Sequence, residues 1–182
     1  MALSTEVKSK VDNGALVAKE HGIARSPHWP TVEKEFKKKN PDCLYCGEES
    51  GKLYGIQVHH INAFHVVVGL GRPDLELDER NLVSLDETEA GRPAPDHHIV
   101  AGHNGSFQKN NPHVLEDVSL WKGKDKKFIE STQKWQEEAS SQKPFSQWSL
   151  EEKKAYRKML DEKLPPNTEL LKKYNLTITT FE

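Results

Sequence analysis

Cysteine is almost absent from this chain: Cys43 and Cys46 are the only two in 182 residues. Thiols so close together make a poor loop-closing disulfide, and a reducing compartment would keep them free. Long apolar runs are missing as well. None approaches the roughly 20 residues needed to span a bilayer, so no membrane partner is expected. The opening MALSTEVKSK has no apolar segment of the kind a secretory leader carries, and the expected location is cytoplasmic. Apolar residues make up 35% and charged residues 30%, which is lean for a globule and predicts a small core with polar helical flanks. Nor is there an excess of positive charge. The formal net charge is −2, whereas nucleic-acid binders are often strongly basic.

That sum conceals a gradient. Residues 72–96 carry Asp74, Glu76, Asp78, Glu79, Asp86, Glu87, Glu89 and Asp96 against Arg72, Arg80 and Arg92. Lysines gather on either side, in EKEFKKKN and WKGKDKK. An acidic centre with basic shoulders suits a cation site flanked by phosphate-binding surface, although solvated helix faces account for each run as well.

Residues 1–24 read as a polar arm. SPHWPTVEKEFKKKNPDC predicts a turn, a helix of about ten residues and a stop at Asn40-Pro41. LYGIQVHHI reads as a strand, 66–80 as an irregular loop, and NLVSL as a second strand or a helix start. DETEAGRPAPD is a loop by its glycine and prolines. HHIVAGHNGSF looks like a helix opening, broken by Gly102 and Gly105. Beyond residue 118, DKKFIESTQKWQEEA and SLEEKKAYRKMLDEKL are helical. The second has a capping-box start at Ser149 and Glu152 and an apolar face of Leu150, Tyr156, Met159 and Leu160. LTITTFE reads as a final strand.

The chemistry concentrates in the middle third. CLYCG has the shape of a zinc knuckle, a tight turn that aims two thiolates at one ion. No strand-helix thioredoxin pattern surrounds it, which disfavours a redox pair. Of nine histidines, seven lie between positions 59 and 113, too concentrated for scattered surface residues. His21, His28 and His113 take the ordinary surface or satisfied-core reading. His59-His60, Asn81 and His97-His98 follow one another in order, separated by loops and a short apolar segment.

This layout resembles the HNH nuclease family, from about Arg25 to Asp117, on the strength of CLYCG, VHHINAFH, LELDERNLVSL and HHIVAGHNGSF in that order. The resemblance implies an α+β fold: a ββα-metal core at 25–117 with an N-terminal helix and a helical C-terminal extension at 118–182. It also implies a role for each residue. His59 and His98 become ligands of one divalent catalytic metal (Mg, Mn, Ni or Zn), His60 the general base that activates water, and Asn81 the group that holds the base in its useful tautomer. Strand alternation would face His59 and His60 to opposite sides. His103 lies five residues after His98, about 140° away on an ideal α-helix; it contacts phosphate or reaches the metal if the helix kinks at Gly102. His65 stays open as a loop residue.

Relatives carry a second cysteine pair where this chain has Asp86 and His97. Both types bind zinc, so Cys43, Cys46, Asp86 and His97 are expected to form a mixed structural zinc site, the alternative being a degenerate knuckle that is no longer filled. The expected activity is endonucleolytic cleavage of DNA, with Lys37, Lys38, Lys39, Lys122, Lys124, Lys126 and Lys127 as candidate phosphate contacts. The rivals are a non-catalytic zinc-binding interaction module and an RNA-cleaving toxin. The tail is expected to dimerise the protein, grip DNA or dock a protein partner.

Overall fold

The computed structural model describes residues 22–47, 55–87 and 96–180. The polar arm up to residue 21, the loop at 88–95 and the start of the expected first strand lie outside them.

Helix α1, Trp29–Lys39, begins with a proline in its first turn, where the missing N–H has no intrahelical partner to lose. Lys37, Lys38 and Lys39 fill the last turn, complementing the helix dipole. Trp29, Val32 and Phe36 lie along one face and are buried. The helix stops at Asn40, as its sequence predicts. Strands β1, Gly55–His60, and β2, Leu82–Glu87, form a two-stranded antiparallel ribbon whose register runs from Gly55 opposite Glu87 to His60 opposite Leu82. The NLVSL segment is thus a strand, preceded by a 3-10 turn at Glu79–Asn81.

The ribbon is covered on both faces. Val58 and Leu82 pack with Trp29, Val32, Phe36 and Leu77 on the α1 side. On the other side Val83 and Leu85 pack with Val100, Ala101, Val114, Trp121 and Ile129. Mixed helix and strand agrees with an α+β chain.

Three readings of the sequence are corrected. Residues 66–80 are not an irregular loop: they contain α2, Phe64–Gly69, and a helical turn α3, Asp74–Leu77. Three successive valines disfavour a helix locally, but Val66, Val67 and Leu70 are fully buried, and that burial outweighs the propensity. LTITT forms no strand. It is extended, and Thr179 N–H donates to the Gly71 carbonyl at 3.1 Å without a ladder around it. Leu150 is 47% exposed and does not belong to the apolar face of its helix.

Beyond the ribbon come α4, Val114–Trp121; α5, Lys126–Ser131; α6, Gln133–Ser141; α7, Leu150–Lys163; and α8, Thr168–Lys173. The expected single helix over DKKFIESTQKWQEEA is divided at Thr132, whose hydroxyl caps α6. The capping box of α7 is formed by Ser149 and Glu152. α7 lays Leu160, Tyr156 and Met159 against α2. These helices share apolar clusters with the residues before 118.

Candidate metal centre

Between β2 and α4 the chain makes one π-helical turn, His98–Gly102. In this winding hydrogen bonds close after five residues instead of four, so residues five apart come round to the same side. The 140° separation expected between His98 and His103 therefore does not arise; their ring centroids are 5.0 Å apart. His59, at the end of β1, points at the same place, with centroids 5.5 Å from His98 and 4.7 Å from His103. Each of the three offers a ring nitrogen, and these nitrogens all lie within 4.8 Å of one another. His59 can approach so closely because position 102 is glycine: a Cβ there would lie 2.9 Å from the His59 ring.

The electrostatics of the three imidazoles suit a cation. Both nitrogens of His59 and Nδ1 of His98 are buried without a hydrogen-bond partner, the exception to the rule that buried polar atoms are paired. Burial, then the neighbouring His103 and His98, hold His59 well below its usual pKa, so it is neutral and its one unprotonated nitrogen is free for coordination. His103 Nδ1 lies 3.2 Å from the Lys109 carbonyl. A carbonyl only accepts, so Nδ1 carries the proton and Nε2 is the ligand atom. Glu87 Oε2 stands 3.7 Å from His98 Nδ1, beyond hydrogen-bond length.

A second group gathers on the other side of the same turn. Cys43, Cys46, Asp86 and His97 place one ligand atom each within 4.8 Å of one another. The knuckle closes with Gly47 N–H donating to the Cys43 carbonyl, at a positive φ of 70° that glycine adopts freely. Leu44 N–H, bonded to the Ser84 carbonyl at 2.9 Å, pins the knuckle to β2. His97 Nε2 is 2.8 Å from the Lys124 carbonyl, which leaves Nδ1 facing the group. That Nδ1 lies 2.6 Å from Asp86 Oδ1 and 3.6 Å from Cys43 Sγ. The Cys46 contact, then burial, push the Cys43 thiol up from its usual pKa. Burial opposes charge on His97, but Asp86 and Cys43 outweigh it and raise its pKa. Asp86 is lowered in turn: burial raises it, and the His97 contacts prevail. Asp86 Oδ2 has no partner. Two sulfurs, an imidazole nitrogen and a carboxylate are the donor set of a four-coordinate zinc, so these residues fit the ion. His97 and His98, though consecutive, belong to different groups.

His60 belongs to neither group. Its ring lies 4.5 Å from that of Trp29 on the α1 side. Its Nε2 is 2.9 Å from the Glu76 carbonyl; Nε2 carries the proton, and Nδ1 is the basic nitrogen. Burial, then the positive charge of Arg25, hold His60 well below its usual pKa. Asn81 does not touch the ring. Its Nδ2 donates to the carbonyls of Asn62 and Leu75, and its Oδ1 accepts from Asn62 N and Nδ2. It thereby fixes the peptide next to the Glu76 carbonyl, one step from where it was expected to act. Asn62 in turn accepts from the Tyr156 hydroxyl of α7 at 2.7 Å.

Sequence reasoning missed three of these residues. The Glu76 contact is made by a backbone carbonyl, which any side chain would supply, and Asn62 lies unmarked inside VHHINAFH. Arg25, at the edge of the polar arm, gave no signal beyond its charge. Its guanidinium carbon lies 4.7 Å from the Trp29 ring centroid and 4.1 Å from that of Phe64. Burial lowers its pKa while Glu76 and Glu33 oppose the shift.

The lysines are less uniform than expected. Lys37 pairs with Glu33 at 2.9 Å and Lys39 with Glu79 at 2.6 Å. Lys126 meets Asp96 at 3.5 Å, and Lys124 lies over the Phe128 ring. Lys38, Lys122 and Lys127 are exposed. His65 is buried between Phe64 and Phe145, outside both groups. His28 stacks on Tyr174 and His113 pairs with Glu116. Among the described residues, no helix is long and apolar enough to cross a membrane. No protein-family model, curated protein or solved structure matches the chain.

Proposed function

We propose that the chain is a metal-dependent endonuclease of the HNH type that hydrolyses phosphodiester bonds in DNA, with β1, β2 and the π-helical turn as its ββα-metal core. One observation carries the reading: two adjacent histidines of one strand serve different environments. His59 meets two further imidazoles able to share an ion, while His60 stays outside that group with Nε2 on the Glu76 carbonyl.

The residues divide the reaction between them. His60, kept neutral by burial and by Arg25, offers the Nδ1 lone pair and takes a proton from water. The water oxygen bonds to phosphorus as the bond from phosphorus to the 3′ oxygen breaks. His59, His98 and His103 would hold a divalent ion, which would supply positive charge against the scissile phosphate and the leaving oxygen. Asn81 and Asn62 hold the loop that presents the Glu76 carbonyl, so His60 keeps one tautomer. Cys43, Cys46, Asp86 and His97 would hold a structural zinc, which would tie the π-helical turn to β2.

The test is nicking of supercoiled plasmid by the full chain with Mg²⁺, Mn²⁺ or Ni²⁺. Wild type should nick, and His60→Ala should lose about 10²–10⁴-fold in rate, the usual worth of a general base, with the circular-dichroism spectrum showing the variant still folded at the assay temperature. Failure to cut any nucleic acid with any of these metals removes the enzyme reading and favours the interaction module. Cleavage of single-stranded RNA with all DNA spared moves the substrate to RNA.

A further inference from the structure

Four arginines lie among the described residues, and three have their hydrogen bonds made. Arg72 binds Asp74, Asp161 and the Leu164 carbonyl. Arg80 binds Asp78 and the Pro165 carbonyl, and Arg157 binds Asp161 and the carbonyls of Leu70 and Thr179. The fourth, Arg25, donates no hydrogen bond from its guanidinium to any described residue. Its Nη1 is buried and unpartnered. The nearest carboxylate oxygen, Glu76 Oε1, is 3.9 Å away, beyond hydrogen-bond reach. That carboxylate is already engaged by Ser26 N–H at 3.0 and 3.2 Å.

A guanidinium that donates no hydrogen bond inside the fold is free to meet an acceptor from outside it. The position of Arg25 says which. The two rings on which it lies, Trp29 and Phe64, are the two aromatic rings beside His60: Trp29 at 4.5 Å and Phe64 at 6.3 Å. The side chain keeps 25% of its surface exposed, so a ligand can reach it. Aromatic faces fix the plane of a guanidinium without consuming its N–H groups, which leaves a rigid cationic fork beside the basic imidazole.

We propose that Arg25 binds a non-bridging oxygen of the substrate phosphodiester at His60, a contact distinct from the lysine surface. This rests on the nuclease reading. A planar fork matches phosphate oxygens in pairs, which a lysine cannot do. It also places a positive charge, packed on Trp29 and Phe64, beside the basic imidazole. The acidic groups facing it are Glu76 and Glu33, and neither holds it by a hydrogen bond.

Binding of a fluorescent DNA duplex can be read apart from cleavage in the full-length His60→Ala background with Mg²⁺ present. Adding Arg25→Gln should weaken binding about 5–10-fold at 0.1 M salt and reduce the slope of log affinity against log salt by about one. In the His60-intact protein, Arg25→Gln should raise KM and lower kcat, with Arg25→Lys recovering the salt slope and only part of the rate. Urea midpoints of both variants check the fold; if Arg25→Gln unfolds, the Lys variant alone carries the test through its intact slope and reduced rate. Plasmid nicking by wild type, with affinity, salt slope and rate all unchanged by these substitutions, overturns the Arg25 contact and leaves the nuclease reading standing. A wild type that neither binds nor nicks overturns both.

Discussion

Gly102 lies where a side chain would crowd the His59 ring. A Cβ would sit 2.9 Å from two atoms of that ring and 3.1 Å from Leu85 Cδ1, so the imidazole must shift to admit one. In an unhindered helix, Gly→Ala stabilises by roughly 0.5–1 kcal/mol. Here Gly102→Ala should instead weaken Ni²⁺ or Zn²⁺ binding at the three imidazoles by about 10–100-fold, as loss of ligand positioning does. Titration calorimetry would show one binding event reduced and the thiolate event kept; two unchanged events would remove Gly102 from this role. At this scale much was legible in the sequence. The doubled histidines and CLYCG named both ligand groups because imidazole and thiolate are rare and chemically pointed. The orienting groups were not legible, since the carbonyls of Glu76, Lys109 and Lys124 leave no mark in a string of side chains.

Elements repeat the contrast. α1, β1 and α7 follow from residue pattern, caps and proline stops, whereas β2 was one of two readings of NLVSL. The π-helical turn does not, because the spacing of His98 and His103 was judged on α-helical geometry, and nothing in HHIVAGH announces a wider winding. α2 was hidden by its valines, which favour strands until burial decides. The short 3-10 turn before β2 is held by a carboxylate. Asp78 accepts from Arg80 N–H at 3.0 Å and makes a two-pronged pair with the Arg80 guanidinium. Burial pushes the Asp78 pKa up, but Arg80 and Asn167 outweigh it and the net shift is downward. A depressed carboxylate stabilises the fold fully above its unfolded pKa of about 3.9, and this stability fades as pH falls through the lower folded value. Asp78→Asn should therefore cost about 1–3 kcal/mol at pH 7, with the difference from wild type shrinking below about pH 4. Urea denaturation at pH 7 and pH 3.5 measures both; a penalty equal at the two pH values would contradict the charge-based account.

For the molecule as a whole, composition suggested a small core with polar helical flanks, and the core in fact runs through the helices beyond residue 118. Trp121 and Ile129 are almost fully buried in the cluster that backs β2, and Leu160 is buried against α2. Losing one such anchor costs roughly 2–5 kcal/mol, so losing three rivals the 5–15 kcal/mol by which a domain is stable. A chain ending at Asp117 should show no cooperative thermal transition and should bind a hydrophobic dye. A sharp melt near that of the full chain would mean the extension is dispensable. Such sharing of a core was invisible in the sequence, where the composition shift at residue 118 resembles a boundary.

The two ligand groups meet along the backbone itself. Asp86 faces His97 in one group, and the next residues on each side, Glu87 and His98, approach each other at the other. One peptide step separates the two groups on both segments. Should an ion at the thiols change affinity at the imidazoles by some factor, thermodynamic reciprocity requires the same factor in the opposite direction.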